Sequence, residues 1–182
     1  MPTEAVPEPW ASFLREIDSR LEGATELHCL GGFVVTTVYD MARSTADVDV
    51  LAIVPGDASR ILSESAGKGS DLHRRHGVYI DTVAVATVPE DYEQRLTEIF
   101  PGAFRHLRLL AFDPYDLALS KLERNIQRDR DDVRYLARKV PFELDVLRER
   151  YEKEMRPYLA MPEREDLTLR LWVEMIQEER GG

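Results

Sequence analysis

Residues 46–54 read ADVDVLAIV, and they raise a chemical question. Side chains alternate faces along a strand, so Asp47 and Asp49 project to one side while Val48 and Val50 project to the other. Neighbouring carboxylates repel, and burying even one without a partner is costly. A divalent cation is the compensation that best suits such a pair. Mg²⁺ takes carboxylate oxygens and keeps waters and substrate phosphates in its shell. Asp81, inside VYIDTVAVA, stands among equally apolar neighbours and is the candidate third ligand. The plain alternative places Asp47 and Asp49 at a wet strand end and Asp81 on a solvated face. Gly31-Gly32 follows a short expected strand, ELHCL. Glycines there let backbone approach a phosphate closely, and a helix N-terminus just beyond them favours anions.

The elements that must position these residues are legible from periodicity. Trp10, Phe13, Leu14, Ile17 and Leu21 recur at helical spacing, with Gly23 as a stop. Residues 26–30 form a strand running into the glycines. Residues 33–41, FVVTTVYDM, have β-branched propensity, but their place between the Gly-Gly turn and the next strand predicts a helix. A strand over 46–54 closes at Pro55-Gly56-Asp57, and Asp57 can N-cap the helix ASRILSESAG. Residues 77–87 read as a further strand, 89–100 as a helix and 105–111 as a last, edge strand. Then Asp113-Pro114-Tyr115-Asp116 opens a helical region: N-cap, Pro at N1, and acid near the dipole's positive end. Helices are expected over 114–126, 130–139, 141–155 and 163–179, with apolar stripes Leu144, Leu147, Tyr151, Met155 and Leu167, Leu171, Trp172, Met175. The fold class is therefore α/β (α+β): a mixed sheet flanked by helices in a core over 1–112, with a C-terminal helical part over 113–182 packing on it.

The chain has 182 residues, 43% hydrophobic and 32% charged, as expected of a globular domain with a real core. No apolar stretch approaches the roughly 20 residues of a membrane span, and no membrane partner is expected. The opening MPTEAVPEPW lacks the basic and apolar regions of a signal peptide. A single cysteine, Cys29, excludes an intrachain disulfide and fits a reducing cytoplasm. The formal charge of −10 argues against constitutive nucleic-acid binding over the whole surface, though not against a local basic site.

Two ordered segments bear a family resemblance. Cys29-Leu30-Gly31-Gly32 is followed by Arg43-Ser44-Thr45-Ala46-Asp47-Val48-Asp49-Val50. Downstream come Asp116-Leu117-Ala118-Leu119-Ser120-Lys121-Leu122 and Arg128-Asp129, Asp132-Val133 and Leu136. Together they resemble the minimal nucleotidyltransferases of the DNA polymerase beta superfamily. The nearest likeness is to bacterial members related to the AbiEii-type toxins of toxin–antitoxin systems, a group that includes the MenT enzymes. The resemblance implies a nucleotidyltransferase-type fold and transfer of NMP from an NTP to an RNA (such as tRNA) or protein acceptor. It also implies a cognate antitoxin. Gly31 and Gly32 would approach the triphosphate. Asp47, Asp49 and Asp81 would hold Mg²⁺ or Mn²⁺. Arg43 and Thr45 would contact phosphate or brace the turn. Lys121 would reach phosphate, with Asp129 and Asp132 orienting it or the acceptor. Serine, frequent after the first glycine in the superfamily, is replaced here by Gly32.

Two other readings stay open at this level. One is a catalytically degenerate member acting as a binding or regulatory module. The other is an interaction protein using exposed apolar residues of the last helix. His73-Arg74-Arg75-His76 reads as a solvated loop rather than a metal pair, because no third ligand lies near it in sequence. Cys29 reads as a small core residue with no base to activate it.

Overall fold

The computed structural model describes residues 5–83 and 86–181. Its strands are β1 (Thr25–Leu30), β2 (Asp47–Val54), β3 (Tyr79–Thr82), β4 (Thr97–Ile99) and β5 (Leu107–Ala111). They form one mixed sheet in the order β3-β2-β1-β5-β4. β1 runs antiparallel to β2 and parallel to β5, while β2 and β3 are parallel and β4 and β5 antiparallel. The chain divides into two compact units. Residues 1–84 and 96–112 make one, and residues 85–95 and 113–182 make the other. Among the described residues no helix is long and apolar enough to cross a membrane.

The sheet unit carries four helices, α1 (Trp10–Arg20), α2 (Gly31–Thr37), α3 (Ala58–Ala66) and α4 (Asp71–His76). The apolar spacing of α1 buries Trp10, Phe13, Leu14 and Ile17, and Trp10 meets Phe33 of α2 edge-on at 5.2 Å. α2 is helical despite its β-branched content. Burial of Phe33, Val34 and Val35 outweighs intrinsic propensity, and Thr36 and Thr37 donate their hydroxyls to the carbonyls of Gly32 and Phe33 one turn back. Asp18, on α1, accepts from the backbone N–H groups of Arg105, His106 and Leu107 at 3.0, 2.7 and 2.8 Å. One buried carboxylate thus satisfies three donors at the start of β5 and ties α1 to the sheet.

The helical unit comprises α5 (Pro114–Leu119), α6 (Gln127–Lys139), α7 (Leu144–Arg150), a π-type turn (Tyr151–Met155) and α8 (Pro162–Gly181). Asp113 caps α5, accepting from the N–H of Asp116 at 2.8 Å, with Pro114 at the first helical position. Arg95 grips Asp116 through two bonds of 2.8 and 3.1 Å, and Glu154 through two of 3.2 and 2.7 Å. Arg150 closes the same cluster onto Asp113 and Asp116. Val133, Leu136, Phe142, Leu147, Tyr151, Trp172 and Ile176 are buried. The α8 stripe divides, with Trp172 and Met175 buried and Leu167 and Leu171 half exposed, at 49% and 53%.

Four local expectations are corrected. Residues 89–100 are not one helix: Tyr92–Arg95 is a 3₁₀ turn and 97–99 is β4. Pairing with β5 and burial of Ile99 and Phe100 override the helical propensity of this segment. β5 is an interior strand between β1 and β4 rather than an edge. The strand expected over 77–87 is regular only from Tyr79 to Thr82, residues 84 and 85 lying outside the described residues. Residues 73–76 are the end of α4, not a loop, because Ser70 caps that helix and Gly77 ends it at φ +73.

Burial alone would push the Asp18 carboxyl up, but the three N–H donors hold it below the ordinary carboxylate value. Its contribution is therefore present above the unfolded value of about 3.9 and is lost as pH falls through the depressed folded value. Asp18→Ala is expected to cost about 2–3 kcal/mol in urea unfolding at pH 7, and the gap to the unsubstituted protein should narrow in acid below about pH 3.9.

Candidate active site

The site begins with register. β2 and β3 pair so that Asp47 stands beside Tyr79 and Asp49 beside Asp81, while on the other side Asp49 pairs with Leu30, the last residue of β1. Same-register neighbours share a face, so Asp47, Asp49, Asp81 and Tyr79 form one patch. Each of the three carboxylates offers an oxygen, and these oxygens all lie within 4.8 Å of one another. Oxygens bound to one Mg²⁺ at about 2.1 Å sit roughly 3–4 Å apart, so a small side-chain rotation would close the set. Asp47 and Asp49 are half-buried and Asp81 is exposed. All-oxygen, anionic and partly wet, this donor set suits a hard divalent cation that keeps waters for a substrate.

The loop before β2 and the turn after β1 shape the patch. The Thr45 hydroxyl donates to Asp47 Oδ1 at 3.0 Å, and the Gly32 N–H donates to Asp49 Oδ2 at 3.2 Å. Gly31 has φ +67, and a Cβ there would collide with the Asp49 carboxylate. A Cβ on Gly32 would stand 2.6 Å from Arg43 Nη2 and 3.2 Å from Thr45 Oγ1. The structure therefore gathers Gly31, Gly32, Arg43, Thr45, Asp47, Asp49 and Asp81 around one turn of the sheet unit.

The field of the cluster is felt by its neighbours. Burial, then the charges of Asp47, Asp81 and Asp49, raise the Tyr79 hydroxyl above its usual value. Burial and Asp49 push the Cys29 thiol far up, which makes it a poor nucleophile. Tyr79 was not singled out in the sequence reading, although its i,i+2 relation to Asp81 was a usable signal.

Lys121, Asp129 and Asp132 lie in the helical unit and are all buried. Lys121 Nζ is 2.7 Å from Asp132 Oδ2 and 3.8 Å from Asp129 Oδ1. Asp129 also receives both forks of Arg124, at 2.6 and 2.9 Å, and the N–H of Ile126 at 3.1 Å. Burial works against its charge, but Arg124, Lys121 and that N–H hold its carboxyl below the ordinary range. The lysine is thus clamped between two carboxylates.

Gly31→Ala combines a left-handed backbone with a collision, so it is expected to lower stability by about 1–3 kcal/mol. Gly23→Ala, where an added Cβ meets nothing within 4 Å, is the matched control and should leave the thermal midpoint nearly unchanged.

Comparison with known proteins bears on this geometry. Neither the curated proteins nor the solved structures yield a match. One family does, described as "Nucleotidyltransferase of unknown function (DUF6036)", and it matches residues 11–180, almost the whole chain. The match spans the two-glycine turn and the three clustered aspartates, and the chain belongs to this nucleotidyltransferase family.

Proposed function

We propose that the protein transfers a nucleotidyl group from an NTP to an acceptor hydroxyl with the help of Mg²⁺ or Mn²⁺. The convergence of Asp47, Asp49 and Asp81 beside the Gly31-Gly32 turn carries this reading. These three carboxylates would hold the ion. When bound, it would neutralise charge on the phosphate oxygens and orient them for in-line displacement.

The remaining work falls to the chain. Gly31 and Gly32 keep side chains away from the turn, so the triphosphate can reach backbone. Arg43 lies against Gly32 and offers a guanidinium to phosphate. Thr45 orients Asp47 through its hydroxyl. In the reaction the acceptor oxygen forms a bond to the α-phosphorus, the α–β bridging bond breaks, and pyrophosphate leaves with that electron pair. Asp81, the exposed member, would take the acceptor's proton. Lys121 belongs to nucleotide binding in this reading, with Asp132 and Asp129 setting the position of its ammonium.

The finer placement rests on the resemblance of the two motif segments. It supports a place with the AbiEii- and MenT-like enzymes, an RNA or protein acceptor and a cognate antitoxin, while the single cysteine, Cys29, supports a cytoplasmic location. A degenerate, non-catalytic module would have had no need to keep the aspartates together, and their proximity favours the enzyme.

Purified protein with Mg²⁺ or Mn²⁺ should bind NTP by calorimetry and move label from α-³²P-NTP to an acceptor in a total RNA or protein extract. Asp47→Ala should reduce transfer more than about 100-fold, and Thr45→Val, which removes the hydroxyl that donates to Asp47, by about 10-fold. No NTP binding, together with an Asp47→Ala variant indistinguishable from the unsubstituted protein, would sink the proposal.

A further inference from the structure

The carboxylate patch has a fourth corner. Tyr79 is the register neighbour of Asp47. Its ring also meets the residues that precede and form α4. The Lys68 ammonium lies 5.8 Å from the ring centroid, and the His73 ring meets it edge-on at 4.8 Å. A cation and a second aromatic ring therefore meet the tyrosine that stands beside the candidate metal ligands.

The segment presenting Lys68 is held from both ends. Gly67 packs so closely on the Ser63 carbonyl that no side chain could stand there, and Gly69 takes φ +85. The Gly69 N–H donates to His73 Nδ1 at 2.9 Å, and Arg74 Nη1 donates to the Gly69 carbonyl at 2.5 Å. Ser70 caps α4 by accepting from the His73 N–H at 3.2 Å. With Nδ1 engaged as an acceptor, neutral His73 carries its proton on Nε2, which remains a donor.

Charge around this turn is divided unevenly. Asp71 and Glu16 are taken up by Arg20, Arg75 and His76. Among the described residues Lys68 and Arg74 have no carboxylate within ion-pair distance, and both are exposed. Lys68 and Arg74 are thus exposed cations on the turn that packs against Tyr79, in a chain of net charge −10, and they suit an anionic ligand.

We infer that Lys68, His73, Arg74 and Tyr79 form the surface on which a single-stranded nucleic-acid acceptor is held, its phosphodiester groups on the cations and a base against the rings. The inference rests on the nucleotidyltransferase reading for the chemistry, and it names the acceptor class. Stacking on aromatic rings combined with point charges for the backbone is how single strands are gripped without sequence preference. Sheet order separates this surface from the triphosphate. Going outward from β1, Gly31 and Gly32 follow its end, Asp47 and Asp49 come next on β2, and Tyr79 and Asp81 lie on the edge strand β3. An in-line displacement needs nucleophile and leaving group on opposite sides of the transferred phosphorus, so acceptor and pyrophosphate belong on opposite sides of the carboxylates.

The probe is a fluorescein-labelled 20-nucleotide single-stranded RNA of mixed sequence, read by anisotropy with Mg²⁺ between 50 and 200 mM salt, alongside calorimetry of Mg·NTP. Lys68→Glu/Arg74→Glu should weaken RNA binding about tenfold or more and flatten the salt slope by one to two. NTP affinity should stay within about twofold, which also shows that the variant is folded. The milder Lys68→Ala should lower the slope by about one. RNA binding absent in the unsubstituted protein, RNA affinity unchanged in both variants, or loss of NTP affinity in their place would overturn the inference; the last would assign the cations to the triphosphate. Loss of RNA binding in a protein that never binds NTP would instead uphold this surface and refute the proposed reaction.

Discussion

The parallel pairing of β2 with β3 sets Asp49 directly beside Asp81, and the sheet unit must hold two like charges at one strand spacing. The cluster brings an oxygen of each of Asp47, Asp49 and Asp81 within 4.8 Å of the others, close enough for their charges to repel unless a cation is shared. The loop and turn around it are built to preserve it: Thr45 donates to one carboxylate, Gly32 to another, and Gly31 leaves room for Asp49 to lie where it does. The same register places Tyr79 at the corner where Lys68 and His73 converge. One strand pairing thus organises the candidate ligands and the surface beside them.

The helical unit meets charge differently. Asp116, Asp129 and Asp132, all buried, are matched by cations at ion-pair distance: Asp116 by Arg95 and Arg150, Asp129 by Arg124 and Lys121, and Asp132 by Lys121. Paired charges of this kind are strongly destabilising to break, because removal of one partner leaves the other buried and alone. Lys121 answers to this logic as well as to any role with phosphate. A loss of activity on its substitution has to be read against a measurement of folding.

How much was legible in the sequence depended on how local the cause was. Asp47 and Asp49 sit in an unbroken strand pattern, and their shared face follows from alternation alone. α2 was readable as a helix in spite of its valines and threonines, because the Gly-Gly turn and the following strand left little else to fit. Residues 97–99 misled, since their strand exists only through pairing with β5 and no local signal competes with the helical pattern around them. Arg95 went unnoticed because its partners are 21 and 59 residues away. Residues 73–76 read as solvated loop, and nothing local showed that Tyr79 of β3 lies against His73.

The central claim is that Asp47, Asp49 and Asp81 share one divalent ion. Crystals grown with Mn²⁺ and measured near the manganese absorption edge test it most directly. The account predicts an anomalous peak within about 2.3 Å of an oxygen from each of the three carboxylates, absent in crystals of Asp49→Asn. Manganese bound elsewhere, or no peak at these residues at millimolar metal with an NTP present, would contradict it.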